Sequence, residues 1–369
     1  MKPRDVVLEQ IHHHETRPVP FTLGWEGDVG ERLDRHYGGP HWRERLTPYL
    51  VHTGAVEPWP LTKIDEARSR DAYGTVWRLD LRPFHIERPA LAAPSFDNYR
   101  FPEPAAFLRG EEDVKRALET CATCADSFLI AGQGWGLFER SWTIRGFENA
   151  LMDVVAEEDF YGELLDRLTN LYLAMLAENL KLPADAVMFG DDWGDQRGVI
   201  IGPARWRKLL KPRWARLYEA VHKAGKLVIT HCCGNITDVV PDAIEIGLDV
   251  LESCQPEAMN VYALKRKYGD KLTFWGGLGS QSTIPRGTPA DIRREVRRLC
   301  REMGRRGGYI LAPAKSLQPE TPTENAAAVV EAFTNQDAWR CRGRAAPARY
   351  ADTTAPLRAA GLPTRRARG

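Results

Sequence analysis

Short apolar segments that alternate with amphipathic segments constrain the fold of this chain most. The amphipathic segments carry apolar residues at three- and four-residue spacing, which predicts helices, and the apolar segments between them predict strands. Alternating strands and helices are typical of βα units around a buried parallel sheet. The predicted strands span residues 129–132, 186–190, 226–231, 249–252, 272–277 and 308–311.

The predicted fold class is α/β, and the predicted architecture is a (β/α)8 TIM barrel. The number of units, and the lack of a Gly-x-Gly-x-x-Gly phosphate loop after an early strand, favour a barrel over an open dinucleotide-binding sheet. The chemistry of such barrels lies at the carboxyl ends of the strands. The predicted helices span residues 113–128, 157–182, 203–224, 239–246, 259–268, 289–303 and 323–333.

The two ends of the chain differ in composition from this region. Residues from about 1 to 105 are rich in Pro, Trp, His and Arg, and short extended pieces between about 50 and 90 predict a β-rich excursion. Residues 338–369 are dominated by Arg, Ala, Pro and Gly, which predicts a disordered, flexible tail. We therefore expect one barrel domain over residues 1–337, followed by that tail.

Charge and cysteine content narrow the classes of partner. Lys and Arg total 51 against 50 Asp and Glu, so the chain lacks the positive field that recruits nucleic acid or an anionic membrane. It also lacks a long apolar stretch or an N-terminal apolar signal, which predicts a cytoplasmic protein with a small-molecule substrate. The seven cysteines are irregularly spaced, which indicates reduced thiols rather than a disulfide framework.

A candidate metal site lies at the end of the strand predicted over residues 226–231. His231 and Cys233 are two residues apart on an extended segment and so project to the same side, as two soft ligands for one zinc ion. Cys254, one βα unit further on, would be the third ligand of a catalytic zinc site, with Glu252 as an oxygen ligand or an acceptor behind the ligands. The alternative is that these cysteines pack as small apolar residues beside a hydrogen-bonded histidine.

Polar residues at other predicted strand ends are candidates for catalysis and substrate binding. Asp191 and Asp192 are adjacent, so that one could cap a turn while the other faces the pocket as a general acid or orients a substrate. We assign substrate binding to Trp193, Gln196 and Gln255, which lie in the same polar clusters.

Two basic residues are candidate anion ligands. Lys315 follows the last predicted strand, and we assign it a catalytic role. Arg145 would contact an anionic substrate, although an ion pair with a neighbouring acid is the commoner role of such an arginine.

Five segments resemble the uroporphyrinogen decarboxylase superfamily, which includes the corrinoid:coenzyme M methyltransferases. The resemblance runs from about residue 5 to residue 335, and it implies a (β/α)8 barrel with a deep cleft at the carboxyl ends of its strands. The segments are RGFENALMD at 145–153, FGDDWGDQRG at 189–198, THCCGN at 230–235, LDVLESCQPEAMN at 248–260 and FWGGLGSQ at 274–281.

Within that superfamily the chain is more similar to the methyltransferase branch. True uroporphyrinogen decarboxylases open with an Arg-Gln-x-Gly-Arg signature for propionate groups, and residues 22–28 here contain no arginine. The methyltransferase branch carries His-x-Cys where this chain has His231 and Cys233, and the resemblance implies zinc that holds an acceptor thiol as thiolate.

The family's last zinc ligand is absent from this chain. Methyltransferases have a further cysteine in a Ser-Pro-Gly-Cys-Gly loop, and Lys315 stands in that loop here. Either Cys254 replaces the missing thiolate, or no catalytic metal binds. Lys315 could alternatively pair with a substrate carboxylate.

The leading hypothesis is a zinc-dependent methyl or alkyl transferase that takes a methyl group from a corrinoid protein partner or from a methylated small molecule. The alternative is a metal-free decarboxylase or lyase acting on a small carboxylated substrate, with Lys315 and Arg145 as anion clamps. A third hypothesis is a binding module that presents a small ligand to a partner.

Overall fold

The N-terminal part of the protein forms two helices, one strand and a small separate sheet in a computed structural model that describes residues 1–336. Strands β2 to β5 pair in sequence order as an antiparallel sheet. Asp71 closes one of its turns by accepting the backbone N–H groups of Tyr73 and Thr75, both at 3.0 Å. The elements are α1 (Pro3–Ile11), α2 (Val29–Tyr37), β1 (Leu50–Thr53), β2 (Leu61–Lys63), β3 (Arg68–Asp71), β4 (Val76–Arg78) and β5 (His85–Arg88).

The rest of the described chain alternates strands with helices. All five residues of the last strand are buried, as expected where helices cover both faces of a parallel sheet. The strands are β6 (Phe128–Trp135), β7 (Ala186–Gly190), β8 (Leu227–His231), β9 (Val250–Cys254), β10 (Thr273–Leu278) and β11 (Tyr309–Pro313). The helices are α3 (Glu111–Thr123), α4 (Leu137–Arg145), α5 (Phe147–Ala156), α6 (Glu158–Asn179), α7 (Pro203–Arg205), α8 (Lys211–Lys223), α9 (Val240–Glu245), α10 (Val261–Tyr268), α11 (Thr283–Arg286), α12 (Pro289–Glu302) and α13 (Thr323–Thr334).

Strands β1 and β6 to β11 form one parallel sheet of seven strands, in the order β1-β6-β7-β8-β9-β10-β11. An additional extended segment at Phe21 forms a parallel bridge with Leu311 in β11. The ring of Phe21 also contacts Tyr49, just before β1, with centroids 5.3 Å apart. The predicted α/β class and parallel sheet are thus confirmed, with seven laddered strands where the prediction had eight.

The predicted helix limits agree with the structure where capping chemistry is clear in the sequence. Helix α12 begins after Thr288, whose hydroxyl accepts the N–H of Asp291 in a capping box with Pro289 in the first turn. The predicted helix 203–224 is instead interrupted by a π-helical turn at Trp206–Leu210. No prediction covered α4 and α5, which follow β6 and carry part of the candidate site.

At the amino-terminal edge of the sheet, polar side chains bind to the backbone of the strand ends. Asp185, just before β7, pairs with Arg4 at 2.7 Å and accepts the N–H of Leu129 at 2.9 Å. Lys226, just before β8, donates to the carbonyls of Leu182 and Ala184 at 2.9 and 2.7 Å. These side chains close the strand ends that face away from the candidate site.

No helix within residues 1–336 has the length and apolar composition needed to cross a membrane. The tail predicted over residues 338–369 lies outside the described residues, and it stays a prediction.

Candidate metal centre at the carboxyl ends of the strands

His231 and Cys233 face each other at the end of β8. The His231 Nε2 atom lies 3.3 Å from the Cys233 Sγ atom. Asp192, which follows β7, places its Oδ1 atom 3.7 Å from the same nitrogen and accepts the Cys233 backbone N–H at 2.7 Å. One ligand atom from each of the three side chains lies within 4.8 Å of the others. The structure therefore assembles a nitrogen, a sulfur and an oxygen around one point.

Glu252, opposite His231 on the neighbouring strand β9, sets the orientation of the imidazole. The His231 Nδ1 atom donates a hydrogen bond to a Glu252 carboxylate oxygen, so Nε2 is left to face Cys233 and Asp192. A carboxylate behind a histidine ligand is the usual arrangement in zinc sites, because it fixes the tautomer and raises the basicity of the ligand. Burial lowers the pKa of His231, but the charge of Glu252 and the hydrogen bonds to Cys233 and Glu252 outweigh burial and raise it well above its usual value.

The spacing of these atoms suits a zinc ion. Bonds of about 2.0–2.3 Å at a tetrahedral angle place neighbouring ligand atoms roughly 3.3–3.6 Å apart. The observed separations of 3.3 and 3.7 Å from His231 Nε2 lie close to that range. Three protein ligands of mixed N, S and O type leave a fourth position open, which is the composition of a catalytic zinc site. The donor set therefore fits zinc.

Asp191 and Asp192 are adjacent in the chain but serve different functions. Asp191 is fully buried and accepts the backbone N–H groups of Phe138 and Glu139 at 3.1 and 2.8 Å, in the first turn of α4. Its burial raises its pKa to about 7, although the donors around it act in the opposite direction. Asp191 thus anchors α4, and Asp192 is the residue that faces the cluster. The sequence left open which of the two aspartates caps a turn and which faces the pocket. In the structure Asp191 is the capping residue.

Glu139 is a site residue that the sequence patterns did not single out. It lies in the first turn of α4, and its carboxylate accepts the N–H of Asp192 at 3.3 Å. Burial, together with the nearby charges of Asp191 and Asp192, raises the pKa of Glu139 to about 8. A carboxyl group that resists ionisation therefore lies beside the cluster. A prediction of α4 directly after β6 would have been needed to find it.

Cys254 is not brought to the cluster. Its side chain is completely buried, and its Sγ atom lies 3.5 Å from the carbonyl oxygen of Leu251. The pairing of β9 with β10 shifts between Trp275 and Gly276, which oppose Glu252 and Cys254 respectively. Such an irregularity breaks the simple alternation of sides along a strand. The structure therefore groups Asp192, rather than Cys254, with His231 and Cys233.

Arg145 and Trp193 lie in buried structural contacts. The Arg145 guanidinium pairs with Asp153 at 2.6 Å and donates to the carbonyls of Leu91 and Ala92. The Trp193 indole is 1% exposed and donates its N–H to Asp191 at 2.7 Å. The donors that these two residues would offer a substrate are thus engaged within the protein.

The remaining predicted ligands differ in exposure. Gln196 is exposed on a short loop that is closed by a bridge between Gly194 and Val199. Gln255 is buried just beyond β9. Lys315 is exposed after β11 and lines a cavity of about 390 Å³.

This cavity adjoins the cluster because Glu252 lines it as well. His52 of β1 also lines it, and the imidazole stacks on the Trp275 indole with an interplanar angle of 26°. The His52 side chain is exposed where it meets the cavity. Protein atoms around the rest of the ring desolvate it, and this lowers the pKa of His52. His52 was not predicted, because a single histidine in a short strand carries no distinctive pattern.

The parallel α/β sheet thus carries a His–Cys–Asp cluster at its carboxyl edge. Residues 97–336 match the family profile described as uroporphyrinogen decarboxylase (URO-D). The chain therefore belongs to the uroporphyrinogen decarboxylase family, as the sequence motifs predicted.

Similar proteins come from both branches of that superfamily. A uroporphyrinogen decarboxylase of Thermus thermophilus is 30% identical over 47% of this chain and 48% of its own length. A methylcobamide:CoM methyltransferase of Methanosarcina barkeri is 24% identical over 48% of this chain and 50% of its own length. The chain thus spans about half the length of the curated relatives that it matches first.

A solved methyltransferase from Methanosarcina mazei supports the fold assignment. It superposes with a TM-score of 0.64 over 91% of this chain and 99% of its own, at 19% identity. At that identity the likeness concerns the fold alone.

Proposed function

We propose that this protein is a zinc-dependent methyl or alkyl transferase that acts on a small molecule. The observation that carries the proposal is the cluster of Asp192, His231 and Cys233, with Glu252 behind the histidine. In this proposal the Phe21 segment serves as the eighth strand of the barrel. Zinc bound there would hold a thiol or similar acceptor in its anionic, nucleophilic form.

The residues around the cluster would prepare it for such a ligand. Glu252 keeps the Nδ1 proton of His231 in place, so that the lone pair of Nε2 is directed at the ion. Asp192 holds the backbone of Cys233 through its N–H and offers its carboxylate to the same point. Asp191 supports this arrangement indirectly, because it ties α4 and Glu139 to the end of β7.

The methyl donor in this proposal is a corrinoid protein partner or a methylated small molecule. The methylcobamide:CoM methyltransferase of Methanosarcina barkeri supports the first source. Incubation of the purified protein with methylcobalamin and simple thiols, followed by mass spectrometry of the thiols, tests this step. Absence of methylated thiol, with methylated small molecules also inactive, would count against methyl transfer.

Zinc analysis of four variants tests the ligand set. We expect about one equivalent of zinc in the wild type and less than about a tenth in Cys233→Ser and His231→Ala. Cys254→Ala is the matched control, because its thiol is buried away from the cluster, and it should keep the wild-type zinc content. Zinc lost from Cys254→Ala but kept by Asp192→Asn would overturn the ligand set. Circular dichroism melts of each variant separate lost ligands from lost folding.

A metal-free decarboxylase of a small carboxylated substrate is the second candidate. The observation that favours it is Lys315, an exposed cation in the cavity with no hydrogen bond or ion pair among residues 1–336. The uroporphyrinogen decarboxylase relatives also favour it. Its second anion clamp, Arg145, is engaged by Asp153. Carbon dioxide release from a carboxylated substrate that persists after treatment with a chelator, and is lost in Lys315→Ala, would establish it over the transferase.

A further inference from the structure

The cavity beside the candidate metal centre carries opposite charges on different strands. Glu252 comes from β9 and Lys315 from the loop after β11, two strands away in the sheet. Two strand spacings separate their backbones by roughly 10 Å. Glu252 is engaged by His231, whereas Lys315 has no charged or hydrogen-bonding partner in the described part of the chain. An unpaired cation at the lining of an open cavity suits an anionic ligand.

Flat aromatic groups line the same cavity. His52 and Trp275 come from β1 and β10, which are not neighbours in the sheet, so their stacked rings span the interior. Their centroids lie 6.4 Å apart. The Trp275 indole is held in place because its N–H donates to the Thr22 hydroxyl at 2.9 Å. Trp275 is 4% exposed and backs the His52 imidazole, which is exposed. The His52 ring therefore offers the cavity a supported flat face, which favours a planar, unsaturated ligand.

From these features we infer that the cavity binds a small carboxylate with a flat unsaturated body, about the size of benzoate. The volume of about 390 Å³ accommodates such a molecule, and it lies at the small end of ligand pockets. This inference rests on the proposed function for the nature of the reacting end, which would lie beside Glu252, the residue that joins the cavity to His231.

Electrostatics determine the orientation of this ligand. At the metal end, the two positive charges of a zinc ion would be exceeded by the three negative charges of Asp192, Glu252 and the Cys233 thiolate around His231, so a further carboxylate there would meet no net positive charge. The ligand carboxylate therefore pairs with Lys315, and its uncharged end points to the cluster. A methylated or acceptor group on that end would be presented to the open metal position.

Calorimetric titration of the full-length protein with matched probes tests this inference. The probes are benzoate, its uncharged isostere benzamide, and acetate, which has the charge without the ring. We expect benzoate to bind about tenfold more tightly than benzamide, because a hydrogen bond to a charged group discriminates by that order. We expect it to bind about tenfold more tightly than acetate as well, because acetate lacks the ring and its apolar contact area. In Lys315→Met the preference for benzoate over benzamide should disappear, and in Lys315→Arg it should be largely kept. Lys267→Met removes an exposed lysine on α10 and should behave like the wild type.

Each other outcome contradicts the inference. Equal affinities for benzoate and benzamide would exclude recognition of the carboxylate, and equal affinities for benzoate and acetate would exclude recognition of the ring. A preference that survives in Lys315→Met would assign the carboxylate to another residue. No saturation by any of the three probes would exclude the ligand class.

The titration is repeated after removal of metal by a chelator, which separates this inference from the proposed function. Discrimination by Lys315 does not require the metal. If the protein still prefers benzoate over benzamide but binds no zinc, the proposed function is wrong and the inferred ligand class is retained. If zinc binds as expected while all probes behave alike, the ligand class alone falls.

Discussion

The two edges of the parallel sheet are both rich in polar side chains, but these side chains bind different partners. At the amino-terminal edge, Asp185 and Lys226 bind to backbone groups of the strand ends. At the carboxyl-terminal edge, Asp192 and Glu252 both contact the side chain of His231. Side chains that bind backbone secure the ends of strands, whereas side chains collected around one point can hold a ligand.

Whether a polar side chain is already bound within the protein distinguishes structural residues from ligand-binding residues in such a sheet. Arg145 and Lys315 are both basic residues that the sequence marked as anion ligands. Arg145 has its donors occupied by Asp153 and two carbonyls, whereas Lys315 has no such partner among residues 1–336. We therefore expect substitutions of engaged residues to change stability, and substitutions at the cluster to change ligand binding.

The largest effect on stability should come from Arg145→Met. Removal of one partner of a buried ion pair costs about 3–5 kcal/mol, because the other charge is left buried and unpaired. Denaturant unfolding should show this loss, with zinc content unchanged in the fraction that folds. In the matched double variant Arg145→Met/Asp153→Leu, much of the loss should be recovered. Unchanged stability with weaker substrate binding would instead show that Arg145 is a substrate ligand.

Glu252→Gln should change metal binding rather than stability. The amide cannot replace the negative charge behind His231, and loss of such a carboxylate weakens zinc affinity about 10- to 100-fold. Competition with a chromogenic chelator measures this change. Glu245→Gln, at the exposed end of α9, is the control and should bind zinc like the wild type. A variant that binds zinc normally would show that the carboxylate only supports packing.

Asp185→Ala at the opposite edge should have the reverse profile. It leaves the N–H of Leu129 without an acceptor and removes the pair with Arg4, at a cost of about 1–3 kcal/mol. Chemical denaturation should show the loss, and zinc affinity should not change. Zinc loss at full stability would contradict the distinction between the two edges.

The smallest effect concerns Lys265, also at the amino-terminal edge, where it donates to the carbonyl of Gly307. Burial lowers its pKa from 10.5 to about 8, against the opposing charge of Asp270. Below pH 8 the lysine is charged in both states, and the cost of burying it is fully present. As the pH rises from 8 the folded state releases its proton before the unfolded state does, so stability increases.

Between pH 8 and 9 this group should add about 1 kcal/mol to the free energy of unfolding. The gain is measured as the difference between the wild type and Lys265→Met in denaturant unfolding at each pH, because nearby groups such as His13 and Asp270 are common to both. A difference that stays constant, or that falls with rising pH, would mean that Lys265 remains charged when buried.

Prediction from the sequence succeeded where the pattern is local. The six strands predicted from residue 129 onward correspond to β6 through β11. They could be predicted because a short run of apolar residues is itself the signal of a buried strand. The helix over residues 137–145 escaped prediction, since it is buried on most sides and its polar residues, such as Arg140 and Ser141, are buried together with its apolar ones. Glu139 was missed together with this helix, because only the position of the helix places Glu139 beside Asp192.

The sequence by itself determined the family, the α/β class and the pairing of His231 with Cys233, because two residues at the end of one strand keep their relation wherever the strand lies. Only the tertiary structure decided that Asp192 and not Cys254 joins them. That choice depends on how β9 pairs with β10 and on which aspartate caps α4. Both are contacts between segments far apart in the chain, and spacing along the sequence carries no information about them.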